Sequence, residues 1–186
     1  VLMLTETWYS SDSDVIKRAN YNVFYVNRTI RRGGGVLMYV KDNIECQLLD
    51  EMTCMTDDIE CLALVCQKLI LAVVYRPPGG NMDNFFLSME SLFNYVNQKQ
   101  HMLVLGGDFN INMLQSSIMT HNFKTLLHSH GFTNVIYDAT RTTESTNTLI
   151  DLFITNQPTD TVISGVISSH IGDHLPIFLF IKSHKC

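Results

Sequence analysis

The sequence predicts a mixed α/β domain in which two β-sheets pack together with helices outside. Three observations carry that expectation. Short apolar runs of strand type recur along the chain, two longer stretches carry helical periodicity, and 186 residues suffice for one domain with a sizeable core. No repeat, low-complexity tract or long linker divides the chain, so residues 1–186 read as one domain.

The strand-like runs are, in order, 1–5, 22–27, 35–41, 45–49, 60–67, 69–75, 102–105, 149–155, 161–167 and 175–181. Most are short and rich in Val, Ile, Leu, Phe or Tyr, the residues that suit a pleated, half-buried surface. The spacing predicts one helix over 83–97, with Phe85, Phe86, Met89, Leu92, Phe93 and Val96 on a single face. It predicts a second over 119–130, with Met119, Phe123, Leu126 and Leu127 aligned and Gly131 where a helix stops. Both stripes read as core-facing. The segment Arg31-Arg32-Gly33-Gly34-Gly35 reads as a hairpin or loop whose arginines either touch phosphate or lie in solvent.

Composition narrows the classes. A hydrophobic share of 46% against 17% charged residues indicates a globular, rather apolar chain. The apolar start, Val1 to Leu4, is too short for a membrane span or a cleavable signal, so no membrane association is expected. Five cysteines, an odd number, occur without CxxC or Cys/His zinc spacing. Reduced thiols in an intracellular protein are the expectation, with cysteine acting as a small apolar residue. A net charge of −5 argues against a large basic surface for nucleic acid. It does not exclude a nuclease, because an acidic metal-binding cluster biases the count.

The chemistry gathers where strands stop. The run 1–5 ends at Glu6, and the run 69–75 ends at Tyr75, followed by Arg76-Pro77-Pro78. The run 102–105 leads through Gly106-Gly107 to Asp108-Phe109-Asn110. Glycine permits a tight turn or a close approach to a ligand. Residues two apart in an extended segment point the same way, so Asp108 and Asn110 are expected to face one substrate. A plain strand-to-loop turn accounts for the same letters. Near the C-terminus the order inverts, with Asp173-His174 just before a strand.

Asp151 lies inside an apolar run, where alternation puts it on one face with Phe153 and Thr155. A carboxylate there is costly unless partnered. His174 is the candidate partner, a carboxylate being able to fix an imidazole's tautomer and raise its basicity; loop capping by Asp151 is the alternative. Four carboxylates on one rim would repel a phosphodiester unless a cation were bound, and hard oxygen donors favour Mg²⁺ or Mn²⁺. No serine-nucleophile elbow or phosphate-binding GxxxxGK[ST] loop is present.

Five segments, in this order, resemble the endonuclease/exonuclease/phosphatase superfamily: Leu4-Thr5-Glu6-Thr7-Trp8, Tyr75-Arg76-Pro77-Pro78, Gly106 to Ile111, Leu149-Ile150-Asp151, and Asp173-His174-Leu175-Pro176-Ile177. Within it the chain is most similar to the apurinic-type endonuclease domain of non-LTR retrotransposons. The resemblance implies a four-layer α/β/β/α sandwich of two mainly antiparallel sheets flanked by helices. It also implies Mg²⁺-dependent phosphodiester hydrolysis, with nicking of target DNA before a fused reverse transcriptase acts, in the nucleus.

By motif, Glu6 and Asp173 are the implied metal contacts. Tyr75 would touch the scissile phosphate, and Asp108 would move a proton to or from water or the leaving group. Asn110 would position the nucleophile, and His174, held by Asp151, would stabilise the transition state. Arg76 and Arg141 are candidate nucleic-acid contacts, Arg141 within the loop 140–148. Two departures from the family pattern stand out. The family's first strand is missing from this chain, which suggests an N-terminally truncated domain, and Gly172 stands where serine usually precedes the Asp-His pair. The competing readings are a phosphatase or lipid phosphodiesterase of the same superfamily, and a non-catalytic remnant.

Overall fold

A computed structural model describes residues 1–28, 32–169 and 172–182. Arg31 and Cys186 lie outside the described residues. The chain opens with β1 (Leu2–Thr5), β2 (Tyr21–Val26), β3 (Val36–Lys41), β4 (Gln47–Leu48) and β5 (Cys54–Met55). Then come β6 (Glu60–Cys66), β7 (Leu69–Tyr75), α1 (Met82–Lys99), β8 (Met102–Asp108), α2 (Ile118–Ser129) and β9 (Thr133–Asn134). A short hairpin follows, β10 (Arg141–Thr142) with β11 (Asn147–Thr148), and then β12 (Asp151–Thr155), β13 (Val162–Val166) and β14 (Ile177–Ile181).

The larger sheet has the order β4-β6-β7-β8-β12-β9, with β5 alongside β6. All its pairings are antiparallel except β7 with β8, which α1 connects as a crossover. The smaller sheet, β1-β3-β2, packs face to face on β6, β7 and β8, while the β13–β14 ribbon lies against β12. Side-chain alternation separates two cores. Ala63, Ala72, Leu105 and Ile154 face the helices with Phe85, Met89, Phe93 and Phe123. Leu62, Leu64, Val73 and Val104 face Val36, Met38 and Val40 of the smaller sheet.

Both helices begin on capping side chains. Asn81 accepts from the backbone N–H of Asp83 and Asn84, and Ser117 accepts from that of Thr120. Both lie on the larger sheet. Among the described residues no α-helix covers the outer face of the smaller sheet. There the chain from Tyr9 to Val15 packs on Leu37, Tyr39, Val23 and Tyr25 and forms the fourth layer as a loop.

Three sequence expectations need correction. The run 102–105 does not stop at the glycines, since β8 continues through them to Asp108. Gly107 sits at φ +146°, where a Cβ would lie 1.8 Å from the Val74 carbonyl oxygen, so the glycine permits β7 and β8 to pair there. Gly106 leaves room for the Phe153 ring and the Met3 sulfur between the sheets. The run 45–49 is a strand only at Gln47–Leu48. Cys46 and Cys66 form a disulfide rather than free thiols, because the β4–β6 pairing brings their Cα atoms to 4.3 Å. Cys54 and Cys61 are free.

Candidate active site

Four neighbouring strands of the larger sheet each place a polar side chain at one level. Glu60 of β6 is the register partner of Tyr75 of β7, Tyr75 of Asp108 of β8, and Asp108 of Asp151 of β12. All four share the inter-sheet face with Leu62, Val73, Val104 and Phe153. The row therefore closes one end of the apolar layer between the sheets.

Glu6, next in sequence after β1, reaches this row from the smaller sheet, and the Tyr75 hydroxyl hydrogen-bonds its carboxylate. Burial works to raise the Glu6 pKa. Hydrogen bonds from Tyr75, the Trp8 indole and the Gly34 backbone, with the charge of Arg28, outweigh it and hold the carboxyl below its ordinary value. Burial first, then the bond to Glu6 and the Glu6 and Asp108 charges, push the Tyr75 phenol up, so it remains a donor at neutral pH.

Asp108 is 6% exposed. Burial, then repulsion from Asp151, push its pKa up to about 6, against the bond it accepts from Asn110 and the attraction of His174. His174 Nδ1 lies 3.0 and 3.2 Å from the two Asp151 carboxylate oxygens. That hydrogen bond is the largest cause of a raised His174 pKa, and the charges of Asp151, Asp108 and Asp173 add to it against burial. The backbone N–H of Ile150 and of Asp151 both donate to the buried Thr140 hydroxyl, which anchors the start of β12.

Asp108, Asp151 and His174 each offer one ligand atom within 4.8 Å of the others. Like charges held together out of water are costly alone, and a divalent cation would relieve that cost. Two carboxylates, with a third on Glu6 across the sheet gap, form the hard-oxygen donor set that Mg²⁺ or Mn²⁺ prefers. The residues present fit such an ion.

The loop after Asp108 is rigidly held. Phe109 is fully buried against Phe85 and Phe123 of the two helices, at ring separations of 6.2 and 5.5 Å. Burying such a ring contributes about 2–3 kcal/mol. Asn110 is at φ +48°, so Asp108 and Asn110 meet through a turn rather than along an extended segment. The Asn110 backbone N–H donates to Asp108 Oδ1 at 2.9 Å, and its side-chain amide donates to the Arg76 carbonyl at 2.9 Å and Asp108 Oδ2 at 3.3 Å.

Two of the expected site residues point away from the row. Arg76 does not stand on the surface. It is 4% exposed, and its guanidinium donates to the carbonyls of Phe109 at 2.7 Å, Asn110 at 2.9 Å and Pro77 at 3.3 Å. Successive side chains on an extended chain point to opposite faces, so Tyr75 facing the row sends Arg76 to the helix side, over Phe85. The same alternation separates Asp173 from His174. His174 turns to Asp151, and Asp173 pairs with Arg141 Nε at 2.7 Å, outside the acidic cluster. Arg141 is exposed on β10, beside the row but committed to Asp173.

The sequence alone assigned no role to Arg28, Glu60, Trp8 or Thr140. Glu60 was within reach of the rule applied elsewhere, since it heads the apolar run Cys61-Leu62-Ala63-Leu64 as a polar residue at a strand end. Arg28 is its ion-pair partner and lines, with Tyr75, Arg32 and Pro77, a cleft of about 420 Å³ beside the row.

The endonuclease domain of TRAS1, a telomere-specific non-LTR retrotransposon, has a similar fold, with TM-score 0.67 and 13% identity over 90% of this chain and 83% of that one. A 3′ phosphatase, NExo, from Neisseria, bound to a product DNA hairpin, gives 0.70 and 15% over 97% and 88%. An AP endonuclease from Archaeoglobus fulgidus gives 0.66 and 13% over 97% and 88%. No curated protein is significantly similar in sequence. The model of one family, described as endonuclease-reverse transcriptase, matches residues 69–178, more than half of the chain and the segment that carries Tyr75, Asp108, Asn110, Asp151 and His174. The chain thus belongs to the endonuclease-reverse transcriptase family, within the endonuclease/exonuclease/phosphatase group that the model represents.

Proposed function

We propose that this protein is the DNA-nicking domain of a retroelement polyprotein, a Mg²⁺-dependent endonuclease that cuts target DNA for a fused reverse transcriptase in the nucleus. The observation that carries the reading is the crowding of Asp108 and Asp151 beside His174, with Glu6 joined to the same row through Tyr75. Glu6 and Asp108 would hold the cation. Mg²⁺, or Mn²⁺ in its place, would neutralise the rim and polarise the phosphoryl group when bound.

The chain's own residues supply the rest. His174, whose pKa is raised chiefly by its bond to Asp151, donates to a phosphate oxygen and stabilises the charge that builds there during displacement. Asp108 accepts the proton of the attacking water and returns it to the oxygen that leaves as the phosphoester bond breaks. The Tyr75 hydroxyl and the Asn110 amide orient the phosphate. Asp173 would join the metal only when Arg141 releases it, and Arg141 with the 140–148 hairpin would then meet the DNA backbone.

Nicking of supercoiled plasmid tests this reading. Mg²⁺-dependent conversion to the open circle, abolished by EDTA and by Asp108→Asn, is the expected result. Hydrolysis of inositol phosphates without any nicking would overturn it in favour of a phosphatase.

A further inference from the structure

We propose that Glu60 is a positioning residue that aims the Glu6 carboxylate at the row, acting through Arg28 and the Gly34-Gly35 backbone. The inference rests on Glu6 being a metal contact, but its structural part stands independently of that reading.

The row does not end at Tyr75. It continues one strand further to Glu60, which is wholly buried. A carboxylate in such a place is retained at a cost, since well-packed apolar residues usually replace a buried ion pair without loss of stability. Both Glu60 oxygens are engaged. Oε1 accepts from the Arg28 guanidinium, and Oε2 accepts from the Gly35 backbone N–H at 2.6 Å. Gly34 is wedged against that pair, since a Cβ there would lie 2.4 Å from Glu60 Oε1 and 2.6 Å from Arg28 Cζ.

The glycine segment is joined in turn to the metal-side turn. Thr7 N–H donates to the Gly35 carbonyl at 3.2 Å, Trp8 N–H donates to the Gly34 carbonyl at 2.9 Å, and the Gly34 backbone donates to the Glu6 carboxylate. Glu6 and Trp8 stand at φ +56° and +58°, in a region non-glycine residues seldom occupy. Such a conformation persists only where surrounding bonds over-determine it. One continuous chain of contacts thus runs from the buried carboxylate of β6 to the carboxylate of the opposite sheet.

The test measures Mn²⁺ binding by electron paramagnetic resonance, and the fluorescence lifetime of Trp8, the single tryptophan, whose indole N–H bonds Glu6. The proteins are the whole chain, Glu60→Gln, the double variant Arg28→Gln with Glu60→Gln, and Thr155→Val. The double variant leaves no lone buried charge and so folds where the single one fails. Thr155→Val removes a buried bond to the Leu103 carbonyl, four residues along β12 from Asp151, and serves as a control for destabilisation alone.

Folded Glu60 variants should bind Mn²⁺ about tenfold more weakly and change the Trp8 lifetime, while Thr155→Val lowers the melting temperature and moves neither. Unchanged Mn²⁺ affinity and lifetime in a folded Glu60 variant would overturn the proposal. If the unaltered chain binds no Mn²⁺, the metal reading of Glu6 fails, and the lifetime still decides whether Glu60 positions that residue.

Discussion

Glu60 and Asp108 are two buried carboxylates in the same transverse row, separated by a single strand, and their surroundings are opposite. Glu60 faces Arg28 and a backbone N–H, so its charge is answered inside the fold. Asp108 faces Asp151, a second negative charge, and the bonds it accepts are those of the Asn110 amides. Burial raises the pKa of both. At Glu60, the Gly35 bond and Arg28 oppose the rise, whereas at Asp108 the next largest influence adds to it. A neutralised carboxylate holds structure in place. A crowded one is costly in the free protein and is the position where a cation or a proton relieves the cost.

The largest expected effect breaks the Asp108 side of that contrast. Asp108→Asn should lower plasmid nicking by about 10³-fold, equivalent to about 4 kcal/mol in the transition state. Its melting temperature should stay the same or rise, because the substitution removes a like charge. Glu60→Ala should give the reverse signature. Stability should fall by about 3 kcal/mol in urea titration, because the largely enclosed Arg28 and the Gly35 N–H both lose their partner.

The third prediction sharpens the contrast through pH. The folded pKa of Asp108, about 6, stands above its ordinary 3.8, so the fold favours the protonated form. The stability this group contributes is complete below the ordinary value and is lost as pH rises through about 6. Without divalent cation, Asp108→Asn should therefore gain on the unaltered protein in thermal melts between about pH 4 and about pH 7, by a total of about 2 kcal/mol. Added Mg²⁺ should close that gap.

Arg76→Gln should cost about 2 kcal/mol by removing bonds to otherwise enclosed carbonyls, while the folded variant keeps its DNA affinity in a filter-binding titration. A large loss of affinity would restore Arg76 as a nucleic-acid contact. The smallest effect belongs to Arg141→Ala. It removes a half-exposed ion pair worth about 0–1 kcal/mol, so the melt should hardly move. Cleavage-site preference and Mn²⁺ affinity should change instead, because Asp173 is released.

Much of the fold was legible because burial writes itself into sequence periodicity. The run 69–75 is a strand over just those residues, and both helices fall within a few residues of their predicted bounds. The candidate site was legible at Tyr75, Asp108 and His174, each a polar residue where a strand was expected to begin or end, and at Asp151, a carboxylate inside an apolar run. The two-residue strands β5, β9, β10 and β11 were not legible, because two residues carry no period. Neither was the disulfide, whose partners stand 20 residues apart and meet only through the β4–β6 register.

Local rules were sufficient for element type, for the helix stripes and for the choice of polar residues at strand ends, because those depend on neighbours within a turn or a pleat. Which of those residues stand together was decided by the register of four strands drawn from residues 60–155, together with a second sheet that brings Glu6 against Tyr75. The same register sent Arg76 inward and gave Asp173 to Arg141 rather than to the row. A pleat fixes that adjacent side chains part company; only the packed sheets fix which of the two faces the chemistry.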